Sequence, residues 1–391
     1  MDITTLVVVG LVIAVALIFD FTNGFHDTAN AMATSIATGA LKPKTAVIAA
    51  GTLNLIGAFL STEVANTISG GLINESEVYI GPEFIFAGVM GAIIWNLLTW
   101  LVGLPSSSSH ALFGGLVGAV IVGAGVEGVN FMGVLTKILI PALVSVLVAG
   151  LASCLAIKVI TFITKKMNPE NVDSGFRHGQ TVTACLVALS HGTNDAQKTM
   201  GIITLTLIAV GVQPSGSDPQ LWVIAACGFA IALGTYMGGW RVIRTLGKGL
   251  TEISTPQGFA AEASSAATIL VSSHLGFALS TTQVCSGSII GVGLGKKGAP
   301  VNWGVAGKMV IAWLVTFPAA ALVGAAACAL AKMGLPGTIA VAVIGAIVAF
   351  IIFRLSRRNP VNAMNVNDQA EVKLNPDDEA PKTKPTQAQA A

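Results

Sequence analysis

The stretch NGFHDTANAMATSIATGA at residues 23–40 follows an apolar run from Leu6 to Phe19 that suits the interior of a lipid bilayer. It places a His, an Asp and two Asn where a membrane segment is ordinarily apolar. An ionisable side chain at the centre of a membrane helix costs about 2.5 to 3.5 kcal/mol, so its presence indicates a functional site. A second stretch, SHGTNDAQKTMGIITLTL at 190–207, has the same character.

The composition agrees with a membrane location. Of the 391 residues, 53% are hydrophobic and only 10% are charged, whereas roughly a quarter of an ordinary soluble domain is charged. The apolar windows are rich in Ala, Val, Ile and Leu with interspersed Gly, Ser and Thr, which is typical of packed transmembrane helices rather than barrel strands. We therefore predict an all-α polytopic protein that lies in the lipid bilayer of the cell membrane, crosses it several times and binds no nucleic acid.

Two segments predict helical hairpins with polar tips. Residues 84–104 lead into LPSSSSH and then into an apolar stretch at 111–125, while 262–278 lead into ALSTTQ and a similar stretch at 284–295. Each pair of apolar segments, joined through a polar stretch, has the pattern of a helical hairpin with a polar tip. We expect two re-entrant helical hairpins.

The basic residues predict how the chain is oriented. Under the positive-inside rule, five Lys and Arg clusters face the cytoplasm, which puts the N-terminus outside. The first hairpin then enters from outside and the second from the cytoplasm. Asp27 in the first half corresponds to Asp195 in the second, and Ser107 corresponds to Ser280, with similar differences in residue number. The two halves are therefore predicted to be inverted-topology repeats. The predicted divisions are a first repeat at 1–160, a short cytoplasmic linker at 161–180, a second repeat with a final helix at 181–356 and a disordered cytoplasmic tail at 357–391.

Asp27 and Asp195 each follow a polar segment that contains Gly, which predicts a broken helix at both places. Two broken helices in corresponding positions of inverted halves indicate the midplane site of a transporter. Alternatively, both acids have a purely structural role. Each would then cap a helix, or Asp195 would form an ion pair with Lys198. Lys198 corresponds to Asn30 in the first half, and the sequence leaves open whether it pairs with Asp195 or contacts an anion directly.

The hairpin tips predict an anion site. Four serines, Ser106 to Ser109, precede the helix that starts near His110, and three hydroxyl residues precede the one that starts near Gln283. A helix N-terminus offers free N–H groups and a partial positive charge. Two such termini would converge on one buried oxyanion, while Asp27 and Asp195 hold coupling cations or accept protons. The alternative is that the hydroxyl residues are only N-caps.

An enzymatic function is not expected. His110 adjoins a serine, but adjacent residues on a helix do not face each other, and the G-x-S-x-G elbow of a hydrolase is absent from the sequence. The corresponding residue in the second half, Gln283, cannot act as a base. We expect no cofactor.

With these motifs, the chain resembles the inorganic phosphate transporter family, PiT. The resemblance rests on GFHDTAN at 24–30, GTNDAQK at 192–198, LPSSSSH at 104–110 and FALSTTQ at 277–283, and it covers about residues 1–356. It implies cation-driven phosphate symport by an inverted-repeat carrier. The sequence departs from the family pattern at His26, where Asn is usual, at Gln283, where His is usual, and at Asn54, where animal members often have Glu. His26 beside Asp27 leaves proton coupling open.

The resulting prediction is a secondary active transporter that imports inorganic phosphate with sodium ions. The alternatives are a proton-coupled phosphate or sulfate permease and a passive anion channel; a homodimer is compatible with each. The predicted phosphate-binding residues are Asp27, Thr28, Ser107, Ser108, Ser109, Asp195, Ser280, Thr281, Thr282 and Gln283. The predicted sodium ligands are Asn23, Asp27, Asn194, Asp195 and Glu262.

Overall fold

The protein is helical throughout the part described by the computed structural model, which covers residues 3–71, 81–296, 298 and 301–367. Within these ranges there is no β-strand, and Thr251 and Val301 form an isolated bridge. The predicted all-α class is therefore confirmed. The α-helices in the described ranges are α1 (Ile3–Ala37), α2 (Pro43–Gly57), α3 (Glu63–Gly71), α4 (Pro82–Leu101), α5 (Ser108–Ala124), α6 (Phe131–Val134), α7 (Ile140–Thr164), α8 (Pro169–Ala209), α9 (Leu221–Met237), α10 (Trp240–Arg244), α11 (Thr255–His274), α12 (Thr281–Gly295), α13 (Trp303–Ala331) and α14 (Leu335–Ser356).

Several of these helices are long and apolar enough to cross a bilayer. By length and composition, five spans qualify among the described residues: α1, α4, α6 continued into α7, α13 and α14. A sixth qualifies if α9 and the segment Trp240–Gly249 count as one span bent by 61°. The chain is therefore a multi-pass membrane protein, as its composition predicts.

The breaks predicted at Asp27 and Asp195 are wrong, because α1 and α8 run unbroken through both polar stretches. Their glycines serve close helix packing instead. A Cβ atom on Gly24 would overlap a backbone carbonyl of α9, and one on Gly192 would overlap a backbone carbonyl of α2. A bend does occur between α9 and α10, where Gly238 has a φ of +73°, a conformation that favours glycine.

The two predicted hairpins are present as helix pairs. In the first hairpin, α4 packs along α5, and Gly88 lies against the backbone of Leu116. In the second, α11 packs along α12, and residues 275–280 connect them. How the hairpins and the inverted repeats sit in a membrane stays a prediction.

Two hydrophobic clusters form the core, and both α1 and α8 contribute to each. One cluster contains Phe19 of α1 together with Ala196 and Met200 of α8. The other contains Ala29 of α1 and Val187 of α8. The polar stretches of the two helices therefore lie where one cluster ends and the other begins. Apolar packing on both sides excludes water from the polar residues between them.

Most of the predicted linker at 161–180 forms the beginning of α8. The helix starts at Pro169 because Asn168 caps it, with the Asn168 side-chain oxygen accepting a hydrogen bond from the Glu170 N–H at 3.0 Å. Proline is also favoured in the first turn, because the N–H groups there make no hydrogen bond within the helix and proline lacks this group. The division of the chain into repeats stays a prediction.

The first part of the predicted disordered tail, residues 357–367, is ordered. Arg241 donates hydrogen bonds to the carbonyl oxygens of Ser356 and Asn359, and Arg244 donates to that of Asn365. Val366 is buried against the core. These arginines satisfy carbonyls at the end of α14 and beyond it, which explains why the segment folds back. The rest of the predicted tail, 368–391, lies outside the described residues.

Candidate functional site

The polar stretches of α1 and α8 meet because the two helices run antiparallel. The Asn23 amide donates to Asp195 Oδ2 at 3.4 Å, and farther along the pair the Thr38 hydroxyl donates to Gln180 Oε1 at 2.8 Å. As the residue number rises on one helix, it falls on the other. This geometry brings the two predicted acidic residues to the same level of the fold.

The N-termini of α5 and α12 reach this level from the two hairpins. Ser107 caps α5 by accepting the His110 N–H at 3.1 Å, and Ser280 caps α12 by accepting the Gln283 N–H at 3.4 Å. The cap residues have nearly the same backbone angles, φ −90° and ψ 106° for Ser107 and φ −88° and ψ 106° for Ser280. Both hydroxyls retain a proton that can be donated to a ligand.

The two helix N-termini touch each other. The Ser109 hydroxyl donates to the carbonyl oxygen of Leu279 at 3.0 Å, and Gln283 Nε2 lies 3.3 Å from His110 Nδ1. The free N–H groups and positive dipole ends of α5 and α12 therefore lie side by side, which is the arrangement expected of a site for an anion.

Asp27 is held by hydroxyl groups from both hairpins. Ser108 Oγ donates to Asp27 Oδ2 at 2.7 Å, and Thr282 Oγ1 donates to Asp27 Oδ1 at 3.3 Å. His26 Nδ1 lies 2.5 Å from Asp27 Oδ1, and its other ring nitrogen lies 3.5 Å from the Ser106 hydroxyl. The carboxylate thus has two neutral donors and one group that can carry a proton.

Asp195 has a different set of neighbours. Thr281 Oγ1 donates to its Oδ2 at 3.1 Å, and His191 Nε2 lies 3.0 Å from the same oxygen. Lys198 forms an ion pair with the other carboxylate oxygen. The ion pair with Lys198, which the sequence left open, is therefore observed.

The two acidic groups are close enough to share a cation. One ligand atom from each of Asp27, His191 and Asp195 lies within 4.8 Å of the others. All three side chains are at most 1% exposed. Carboxylate oxygens in a dry setting attract a cation strongly because the local dielectric constant is low.

Two of the predicted site residues, Thr28 and Asn194, make no hydrogen bond to the paired acids. The Thr28 hydroxyl donates to the carbonyl oxygens of Gly24 and Thr235, so it faces α9 rather than the acids. Asn194 is fully buried, and neither of its amide atoms has a hydrogen-bond partner. Neither side chain is hydrogen-bonded to the carboxylates of the site.

Glu262, a predicted sodium ligand, forms a separate polar group with three partners. Thr34 and Gln180 donate to its Oε1 at 2.5 and 3.1 Å, and Thr183 donates to its Oε2 at 2.7 Å. Thr34 lies two helical turns beyond Asp27 on α1, so Glu262 is not among the residues around the paired acids.

Three residues that matter at the site were absent from the predicted ligands. They are His26 and His191, which adjoin the two acids, and Asp20, which is fully buried with neither carboxylate oxygen hydrogen-bonded. Helical spacing is the signal that could have found two of them, because His191 precedes Asp195 by four residues and Asp20 precedes Asp27 by seven.

The arrangement can bind a multiply hydrogen-bonding anion beside a compensating cation. It presents two helix N-termini with free hydroxyl donors, two carboxylates and one ammonium group, all away from solvent. Ser106, His26 and Asp27 follow the order of a serine, a base and an acid, but the Ser106 hydroxyl donates to Thr99 at 2.7 Å rather than to the histidine, so this serine is not set up as a nucleophile. The arrangement is suited to holding ions away from solvent.

Comparison with known proteins shows the family to which the chain belongs. Residues 23–324 match the phosphate transporter family. The chain belongs to the phosphate transporter family. Membership confirms the resemblance inferred from the four motifs, and it agrees with the expectation that the protein is not an enzyme.

The relatives cover nearly the whole chain. A Mycobacterium bovis protein named "Probable low-affinity inorganic phosphate transporter" is 55% identical over 367 residues, 93% of this chain and 88% of that protein. A Bacillus subtilis protein of the same name is 42% identical over 327 residues, 84% of this chain and 98% of that protein. A solved structure titled "The sodium-dependent phosphate transporter" is similar with a TM-score of 0.76 and 25% identity, covering 84% of this chain and 100% of that one.

Proposed function

We propose that the chain is a secondary active symporter that imports inorganic phosphate across the cell membrane together with sodium ions. The observation that carries the proposal is the meeting of two helix N-termini, those of α5 and α12, with two buried carboxylates. The Ser108 hydroxyl spans these elements, because it lies in the first turn of α5 and donates to Asp27 at 2.7 Å.

The anion half of the proposal rests on the helix ends. Phosphate carries oxygen atoms on every side, so it can accept hydrogen bonds from two N-termini and from the capping hydroxyls of Ser107 and Ser280. Backbone N–H groups at a helix start bind phosphate without any basic side chain. Lys198 is already paired, which leaves these neutral donors as the principal anion ligands.

The cation half follows from charge. Asp27 and Asp195 repel an anion at the neighbouring helix ends unless cations neutralise them, and Lys198 neutralises only one. Asp27, Ser108 and Thr282 offer carboxylate and hydroxyl oxygens, which are hard ligands suited to a hard cation. A relative of similar fold is described by its title as sodium-dependent, which supports sodium as the ion.

Closure of the site supports alternating access over a passive channel. The side chains of the acids, their hydroxyl partners and both cap residues are at most 2% exposed. A channel requires a continuous lined pore. Movement of a bound ion out of this site requires helices or hairpins to shift, as in a carrier with two inverted halves.

Proton coupling is the second candidate, and the histidines favour it. His26 Nδ1 lies 2.5 Å from Asp27, and His191 Nε2 lies 3.0 Å from Asp195. An imidazole that adjoins a carboxylate can accept a proton and release it again, which is the chemistry that proton coupling requires. In that case the permease would move phosphate or a related oxyanion such as sulfate with protons.

Uptake of radiolabelled phosphate into proteoliposomes tests these candidates. We expect an inward sodium gradient to drive accumulation, with potassium at equal ionic strength as the control and Asp27→Asn as the inactive variant. Full accumulation on a proton gradient in sodium-free buffer would establish the second candidate instead. Equilibration without accumulation under every gradient would overturn symport, and competition with sulfate would measure anion preference.

A further inference from the structure

Lys198 carries an ammonium group into the centre of the protein, where the side chain is fully buried. The hydrogen bonds of its ammonium group all go to oxygen atoms. Lys198 Nζ donates to the Asp195 carboxylate, to the Ser109 hydroxyl at 2.6 Å and to the backbone carbonyl of Leu279 at 2.9 Å. An ammonium group has three donors, so every donor of Lys198 is used.

These three oxygen atoms form a ligand set of the kind that binds a small hard cation. A carboxylate, a hydroxyl and a backbone carbonyl are the oxygen donors that proteins use for such ions. An ammonium group is a compact point charge, with the same single charge as a sodium ion. The ammonium group of Lys198 therefore lies among ligands that suit a monovalent cation from solution.

The other half of the chain has no lysine at the corresponding place. Asn30 occupies it, and its neutral amide donates to Thr281 and Thr282 at 3.3 and 3.0 Å. The amide oxygen of Asn30 is buried without a hydrogen-bond partner. Asp27 contacts no lysine or arginine among the described residues. The two carboxylates thus differ in their cationic partner: the ammonium group of Lys198 neutralises Asp195, and no Lys or Arg among the described residues pairs with Asp27.

We propose that Lys198 is a tethered substitute for a coupling ion, filling a cation site formed by Asp195, Ser109 and Leu279. The inference rests on the proposed function, in which phosphate moves with a cation. It follows that only the position beside Asp27 exchanges an ion with the solution. A carrier without this lysine would bind one more sodium ion at Asp195.

The tether also has a structural consequence. Ser109 belongs to the first hairpin and Leu279 to the second, so Lys198 joins both tips to α8. When the ammonium is removed, Asp195 becomes a buried charge without its cation, which is strongly unfavourable. A sodium ion that binds among the same oxygens restores the charge balance. Sodium should therefore stabilise a variant that lacks the lysine.

Sodium binding to purified protein tests the inference directly. The variants are Lys198→Asn, which copies the residue at the corresponding place, and Lys198→Gln, which keeps a donor and more of the side-chain volume. The matched control is Lys332→Asn, because Lys332 is a lysine whose contact with the Val122 carbonyl lies at an exposed position. Radiolabelled sodium binding and melting temperature are measured in phosphate-free buffer, with potassium at equal ionic strength.

We expect each Lys198 variant to bind about one additional sodium ion per protein and to melt at a higher temperature in sodium than in potassium. The wild type and Lys332→Asn should lack this added response. Equal sodium binding by wild type and folded variants would overturn the inference, as would variants that fail to fold even in sodium. Phosphate uptake by the wild type is measured separately. If that uptake is not coupled to any cation, the proposed function is wrong. If uptake is coupled but the Lys198 variants bind no additional sodium, only the Lys198 inference is wrong.

Discussion

Ser108 donates its hydroxyl hydrogen to Asp27 at 2.7 Å between Oγ and Oδ2, which ties the tip of the first hairpin to the middle of α1. The second half repeats the contact, because Thr281 donates to Asp195 at 3.1 Å. Any movement of a hairpin tip therefore changes the hydrogen bonding of a carboxylate. This relationship offers a physical route by which anion binding at the tips and cation binding at the acids are coupled.

Neutralising either acid should abolish coupled phosphate uptake. Asp27→Asn removes a cation or proton site without adding bulk, so we expect a folded protein with uptake at background. Asp195→Asn also leaves Lys198 without its partner, at a cost of about 3 to 5 kcal/mol in stability. Uptake into proteoliposomes and melting temperature measure the two effects.

Two variants serve as controls for this prediction. Asp195→Asn combined with Lys198→Gln removes both charges and should recover stability but not uptake. Asp173→Asn alters an exposed acid on α8 that pairs with Arg177, and it should transport normally. Wild-type uptake by Asp27→Asn and by Asp195→Asn would contradict the assignment of the central site.

Removing both capping hydroxyls should weaken phosphate binding more than it weakens the fold. Ser107→Ala and Ser280→Ala should each lower stability by about 1 kcal/mol through loss of an N-cap. Their hydroxyl protons are also the proposed donors to phosphate, and a hydrogen bond to a charged group contributes about 1.5 to 3 kcal/mol. Isothermal titration with phosphate in sodium buffer measures the affinity.

Asn302→Ala is the matched control, because Asn302 caps α13 away from the site by accepting the Val305 N–H at 3.2 Å. It should lower stability without changing phosphate affinity. If the double serine variant bound phosphate as tightly as the wild type, the anion site would have to lie away from the hairpin tips.

Adding a methyl group at either close-packed glycine should destabilise the protein. A Cβ on Gly24 would overlap the Ile231 carbonyl, and one on Gly192 would overlap the Asn54 carbonyl. Overpacking of this kind costs about 1 to 3 kcal/mol. Gly10→Ala is the control, because a Cβ there meets nothing within 4 Å. The melting temperatures of the three variants are measured in detergent. If the Gly24 and Gly192 variants melted at the same temperature as the Gly10 control, the helices would be able to separate at no cost in stability.

Glu262→Gln should lower stability while leaving equilibrium phosphate binding within about twofold of wild type. Glu262 accepts hydrogen bonds from Thr34, Thr183 and Gln180, and an amide nitrogen turned toward these donors leaves at least one of them unpaired. An unsatisfied buried group costs about 1 to 3 kcal/mol. Melting temperature and phosphate titration are the measurements. A large loss of phosphate affinity would place Glu262 in the anion site after all.

Features that depend on residues near one another in the chain were predictable. The apolar run from Leu6 to Phe19 predicted the first part of α1, and the segment 84–104 predicted α4, because the length of an apolar run is visible in sequence. Serines and threonines before an apolar stretch predicted where α5 and α12 begin, since an N-cap lies within three residues of the N–H that it accepts. Asp27 and Asp195 were recognised because a charge in an apolar run stands out without any tertiary information.

Features that depend on which helix faces which were decided only by the tertiary structure. Gly24 and Gly192 look like helix breakers in sequence, yet they admit a neighbouring backbone, and nothing local distinguishes these two uses of glycine. Ser107 and Ser108 are adjacent, but one caps a helix and the other reaches Asp27 because their side chains leave the chain in different directions. Lys198 lies three residues after Asp195 on α8, so their ion pair is local and visible in sequence, whereas its contacts with Ser109 and Leu279 depended on where two distant hairpin tips came to rest.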